Sequence, residues 1–213
     1  MDALTSERPG LLLLDFDNVA FSRGRSKLFS GLHFSVYAGQ VVWLQGHNGH
    51  GKTSVLKLAM RLAQPDAGVI RWGTAFDHGG APTYIGHLNG QSVDLKVQES
   101  LTYSARMHGA VASADAVASA LKRTSLYALR NRLVHSLSQG ERRRLALTRL
   151  LLNQSALWVL DEPLDALDTA STAMVLDLIE EQIQNGGAVL MSSHIPFHAT
   201  DLQVLDLAAL HTP

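Results

Sequence analysis

The sequence predicts an α/β protein with one main core and a small helical lobe, and three features carry that reading. Short apolar runs of buried-strand type alternate with stretches of helical periodicity through the second half of the chain. A glycine-rich loop lies between one such apolar run and an amphipathic helix. Residues 97–132 change texture to Ala, Leu, Ser and Arg at helical spacing, as an inserted helical segment does. A chain of 213 residues is long enough for one sizeable core, and 46% hydrophobic with 17% charged residues is a globular balance rather than a disordered one. The net charge of −1 supplies no general attraction to nucleic acid, and no nucleic-acid partner is expected. There is no cysteine, which excludes a disulfide framework and a thiolate metal site. Met1–Gly10 lacks a basic start and does not read as a signal peptide, and the apolar run Leu11–Leu14 is too short to cross a bilayer. Direct membrane insertion is therefore not expected, and any membrane role must come through a partner.

Taken in order, Leu11–Phe21 and Leu28–Tyr37 read as strands on either side of the turn Ser22-Arg23-Gly24-Arg25. After a second turn at Ala38-Gly39-Gln40, Val41–Leu44 forms a short buried-type run. Ser54–Leu62 is helical through Val55, Leu58, Ala59 and Leu62, and Pro65-Asp66-Ala67-Gly68 ends it. Val69–Trp72 and Tyr84-Ile85 are two more strands. Residues 87–135 make the helical lobe within a single domain spanning 1–213. Beyond it come helix Gln139–Leu152, strand Leu157–Leu160, helix Thr169–Gln184, strand Ala188–Ser192 and a closing strand Leu202–Leu210.

The chemistry starts at Gly46-His47-Asn48-Gly49-His50-Gly51-Lys52-Thr53, which fits the phosphate-loop pattern G-x-x-x-x-G-K-[ST] between a strand and a helix and continues into Ser54. Glycines let backbone N–H groups turn inward around phosphate oxygens, and the helix that follows adds the positive end of its dipole. Lys52 supplies charge toward the β- and γ-phosphates, and the Thr53 hydroxyl is a Mg²⁺ ligand candidate. The apolar strand Leu157–Leu160 ends in Asp161 and Glu162. Asp161 is placed to hold Mg²⁺ through water, and Glu162 to polarise a water for attack on the γ-phosphate. Ser138 is a helix N-cap candidate with Glu141 three residues on, the spacing of a capping box, and a capped helix start with a free hydroxyl and the Gly140 backbone is an anion site.

Leu137-Ser138-Gln139-Gly140-Glu141 resembles the signature of the ATP-binding cassette (ABC) family, usually Leu-Ser-Gly-Gly-Gln, and it precedes Asp161-Glu162 as in that family. The resemblance implies a P-loop NTPase of the cassette type, with a RecA-like core, an N-terminal antiparallel β region and a small helical subdomain. It further implies that Ser138 and Gly140 bind the γ-phosphate of ATP held by a second subunit. Leu164-Asp165-Ala166-Leu167-Asp168 resembles the family loop that crosses the dimer interface, and His194, after Ser192-Ser193, its switch histidine. On this reading Glu162 and His194 are the catalytic pair, and two chains sandwich two ATP molecules head to tail as a homodimer. Two positions depart from the pattern. Arg23 stands where an adenine-stacking aromatic is usual, with Phe21 two before it, and a guanidinium can stack on a purine. Leu88 stands where a Mg²⁺-contacting glutamine is usual. Either Gln91 serves by a loop shift or the ATPase couples without that ligand.

Within the family, Leu28–Leu32, the loop itself, Pro65–Gly68 and Tyr84-Ile85-Gly86-His87 together resemble the ATP-binding subunit of the haem exporter in cytochrome c biogenesis. That resemblance implies a subunit peripheral to the cytoplasmic face of a bacterial inner membrane, docked on permease subunits of the haem-exporter complex through residues 86–106. It implies ATP and Mg²⁺ as cofactors, and hydrolysis that drives haem export or release of a haem-loaded chaperone. An ATPase for another transported substrate, or a soluble assembly ATPase, are the alternatives. The ten histidines are scattered without a ligand spacing, so the chain itself is not expected to bind haem.

Overall fold

Two 12-residue strands, β1 (Leu12–Arg23) and β2 (Ser26–Tyr37), pair antiparallel around a tight turn at Gly24 and Arg25 in the computed structural model, which describes residues 10–77 and 80–210. Met1–Pro9, which belong to the segment read above as lacking a signal peptide, lie outside the described residues. The turn is shorter than the sequence suggests, because Ser22 and Arg23 pair with Lys27 and Ser26 and so remain in the ladder. Phe16 lies opposite Phe34, and the rings stack with centroids 4.6 Å apart. β4 (Ala67–Trp72) covers the other edge of β1, giving the order β2-β1-β4. Gly68 is required there: its φ is +83°, and a Cβ would lie 2.4 Å from the Asn18 carbonyl oxygen.

The second sheet contains β3 (Val41–Gln45), β5 (Thr83–Ile85), β6 (Leu157–Asp161), β7 (Ala188–Ser192) and β8 (Leu202–Asp206), in the order β5-β6-β7-β3-β8 with every pair parallel. Every residue of β6 and β7 is buried, as expected of parallel strands covered on both faces. Alternation sorts them: Leu157 and Val159 pack toward the antiparallel sheet and helix α1 (Lys52–Ala59), whereas Trp158 and Leu160 pack toward α5 (Thr169–Gln184). α2 (Val97–Met107) and α3 (Ala114–Arg123) form the lobe around a third cluster that includes Val97, Leu101, Val117, Leu121 and Leu126. α4 (Gln139–Thr148) joins the two regions, with Leu145 in the lobe cluster and Ala146 and Leu147 in the main core.

Several boundaries differ from expectation. α1 starts two residues earlier, at Lys52, and stops at Ala59, because Arg61 takes a left-handed φ of 56°. α4 ends at Thr148 and continues as a 3₁₀ turn over Arg149–Leu151. The closing strand ends at Asp206, whose carboxylate accepts from the Ala208 N–H as the chain turns into Leu207–Leu210. The architecture delivers chemistry to one edge. The glycine-rich loop follows β3, Asp161 ends β6 and Ser192 ends β7, so three adjacent strands open at their carboxyl ends onto a common cleft.

Candidate active site

Gly46, Gly49 and Gly51 all carry positive φ, at 140°, 92° and 91°, so the loop follows a path that side-chain-bearing residues resist. Gly51 caps α1 without any side-chain hydrogen bond, which leaves the first-turn N–H groups of that helix for an anion. Lys52 is 7% exposed; its Nζ donates to the Gly46 carbonyl at 2.8 Å and lies 3.3 Å from His194 Nε2. Among the described residues no carboxylate pairs with it, so its charge faces the loop interior, as a phosphate ligand requires.

A chain of hydrogen bonds organises the acidic side. The Thr53 hydroxyl donates to both carboxylate oxygens of Asp161, at 3.2 and 3.0 Å. Ser192 Oγ donates to Asp161 Oδ1 at 2.8 Å and accepts from the Glu162 N–H at 3.0 Å. Glu162 Oε2 accepts from the His194 N–H at 3.0 Å, and its Oε1 lies 3.3 Å from His194 Nε2. Glu162 itself has φ 51°, a left-handed conformation that a non-glycine residue adopts at a cost of about 1–3 kcal/mol. Thr53 and Asp161 offer only oxygen donors side by side, the set that a hard divalent cation such as Mg²⁺ prefers, so these residues fit that ion.

The cleft above these groups encloses 380 Å³. His47, Asn48, Gly49, Gly51, Lys52, Thr53 and Ser54 line its floor, and Asp161, Glu162 and His194 line one wall. Arg23 and Leu28 of the β1–β2 hairpin also line it. Gly46 and His50 lie behind the lining: a Cβ on Gly46 would sit 3.3 Å from that of His50, whose ring meets His47 edge-on at 5.4 Å. Ser138 and Gly140 are absent from this cleft. They sit at the start of α4, where Ser138 Oγ accepts from the Glu141 N–H at 3.2 Å and Glu141 Oε2 accepts from the Ser138 N–H at 2.7 Å. Gly140 fits against the loop after β6, since a Cβ there would come within 3.0 Å of the Ala166 carbonyl oxygen. One chain therefore carries the cleft and, outside its lining, a separate capped helix start.

Gln91 stands beside the cleft rather than in its lining. Its side-chain Nε2 donates to the Arg142 carbonyl at 3.1 Å, whereas His87 lines the cleft. Leu88 is 85% exposed and is not part of the cleft lining.

The sequence motifs do not single out Arg143, which is buried. Its guanidinium donates to the carbonyls of Asp161 and Glu162, at 2.6 and 2.8 Å. The signal lay in the spacing: Arg143, Ala146, Leu147 and Leu150 form one i, i+3, i+4, i+7 stripe, and an arginine in an apolar stripe needs partners. Burial pulls the Arg143 pKa down, and Asp161, Asp165 and Glu162 pull it back up. Tyr84 is pushed up to about 12, mainly by burial and then by the Asp161 charge, with Arg143 opposing.

Fold and site together define a nucleotide-binding cassette, and comparison with known proteins places it. A family profile described as ABC transporter matches residues 29–165, and the chain belongs to that family. It is 40% identical over 188 residues to the cytochrome c biogenesis ATP-binding export protein CcmA of Cupriavidus pinatubonensis, covering 85% of this chain and 83% of that one. It is 42% identical over 178 residues to the protein of the same description from Nitrosospira multiformis, covering 81% and 86%. Among solved structures, an ABC transporter ATP-binding protein from Pyrococcus furiosus superposes with a TM-score of 0.82 at 25% identity, over 93% of this chain and 99% of that one. The cassette MJ0796, in a dimeric post-hydrolysis state with ADP and Pi, gives a TM-score of 0.75 at 19% identity over 86% and 88%, a likeness of fold. The chain is an ABC-type ATPase.

Proposed function

We propose that this ATPase works as a homodimer docked on permease subunits at the cytoplasmic face of a bacterial inner membrane. There it drives haem export, or release of a haem-loaded chaperone, in c-type cytochrome biogenesis. The export role rests on the relatives' descriptions, and haem on the sequence resemblance. The observation that carries the mechanism is the convergence of Lys52, Thr53, Asp161, Glu162 and His194 on one cleft while Ser138 and Gly140 stand outside it. Such a cleft is half a site; the capped helix start of a second copy completes it.

In the closed dimer the loop N–H groups and Lys52 hold the β- and γ-phosphates, and Arg23 covers the base. Thr53 and Asp161 would hold Mg²⁺, which supplies neutralisation of phosphate charge. A water attacks the γ-phosphorus, a new P–O bond forms, and the bridging bond to the β-phosphate breaks so that ADP leaves. Glu162 takes the water proton, and His194, already bonded to the Glu162 carboxylate through its N–H, keeps it oriented toward the γ-phosphate. Ser138 and Gly140 of the partner copy add donors to the γ-phosphate, and closure removes bulk water. Docking uses the lobe, where Leu88, Tyr103 and Met107 are exposed apolar side chains with no cover in the monomer.

Two substitutions test the scheme. Glu162→Gln is expected to lower kcat by roughly 10²–10⁴-fold, the range of a lost general base, and to trap an ATP-bound dimer on size exclusion. Lys52→Ala is expected to abolish both binding and dimer formation. A Glu162→Gln protein that stays monomeric in saturating MgATP, alone and with its membrane partners, sinks the sandwich.

A further inference from the structure

Arg143 lies on the inner face of α4, only 4% exposed, and its guanidinium reaches two segments at once. Nη1 donates to the Gly86 carbonyl at 2.9 Å and to Asn89 Oδ1 at 3.0 Å. Nη2 donates to the Asp161 carbonyl at 2.6 Å and the Glu162 carbonyl at 2.8 Å. Those two carbonyls belong to the peptide groups on either side of the Glu162 Cα. Holding both fixes the direction in which the Glu162 side chain leaves the backbone, at a residue whose left-handed φ is otherwise unfavourable. Packing alone does not explain the charge. A leucine at this point would continue the stripe of Ala146, Leu147 and Leu150 without desolvating a guanidinium, and Nε is buried with no acceptor among the described residues.

We propose that Arg143 is a positioning residue for ATP hydrolysis, gripping the Asp161–Glu162 backbone so that the Glu162 carboxylate meets the water, and tying that grip to residues 86–89. This rests on Glu162 as the proton acceptor in the function proposed above. The loop at the other end of the fork contains His87, which lines the cleft, and the exposed Leu88. A displacement of that loop reaches the carbonyls beside Glu162 through one side chain, with no intervening residue. Lysine cannot replace the fork, because a single ammonium does not serve both pairs of acceptors in one plane.

The experiment compares Arg143→Lys, Asn89→Ala, Glu162→Gln and each of the first two combined with Glu162→Gln. Steady-state and single-turnover hydrolysis are measured, with amide hydrogen exchange on the nucleotide-free protein. Arg143→Lys is expected to lower kcat by roughly 10–100-fold with KM little changed, the pattern of a misplaced reacting group. Asn89→Ala should do the same by about threefold, having lost one bond of four. Neither should slow Glu162→Gln further, since both act through that carboxylate. Exchange across 160–166 should quicken in both single variants. An unchanged kcat, a fall that compounds with Glu162→Gln, or a raised KM with intact kcat overturns the proposal. If Arg143→Lys does not fold, Asn89→Ala and its double variant decide by the same criteria. Wild-type turnover in Glu162→Gln removes the proton-acceptor assignment itself, and this proposal with it.

Discussion

Glu162 shows what one residue can conceal in a sequence. An apolar strand running into Asp161 and Glu162 marks the pair plainly, and the hydrogen bonds of Asp161 to Thr53 and Ser192 bring them to the phosphate loop. The left-handed backbone of Glu162 carries no such mark, because a glutamate is a poor choice for that conformation and is held there by contacts from remote segments. Tyr84 makes a testable case at this scale. Its pKa is raised from 10 to about 12, so the folded state keeps a proton that the unfolded state releases. Stability is therefore intact below pH 10 and falls as pH rises toward 12. Tyr84→Phe should flatten that part of the Tm-against-pH curve. An identical slope in the two proteins would mean that the phenol is not shielded as its burial implies.

Among the elements, types were more legible than edges. α5 and β7 run over the residues their periodicity marks, because each is bounded by a clear signal: the Asp168 cap, whose carboxylate accepts from the Ser171 N–H at 2.7 Å, and the Gly186-Gly187 turn. The end of α1 was overrun, since Leu62 keeps the apolar period after Arg61 has already left the helix. Gln91 is a different case. A sequence places it near the cleft but does not reveal that α4 offers its amide a carbonyl first. The β1–β4 contact gives the element-scale prediction. Gly68→Ala must accommodate both a positive φ and a Cβ 2.4 Å from the Asn18 carbonyl, and is expected to cost about 3 kcal/mol. That corresponds to a Tm lower by on the order of 10 °C for a chain of this size. A Tm within two degrees of the parent, an approximate margin of measurement, would show that β4 slides freely on β1.

At the scale of the whole molecule, the capped start of α4 lies outside the cleft lining, and the proposed function makes assembly part of the chemistry. Purification of the tagged protein from native membranes, with mass spectrometry and a haem absorbance scan, should recover cytochrome c maturation subunits. Recovery of an unrelated permease, or of ribosomes, keeps the ATPase and discards the haem reading. α4 has a mechanical role in such an assembly. Its ten residues form a rod of about 15 Å whose side chains are embedded in two separate clusters, Leu145 in one and Ala146 and Leu147 in the other. Ser138 stands at one end of the rod and Arg143 near its middle. On the proposed assembly, a torque applied to the lobe would turn both together, so the surface offered to a second copy's nucleotide and the support behind the chain's own carboxylate would share one degree of freedom.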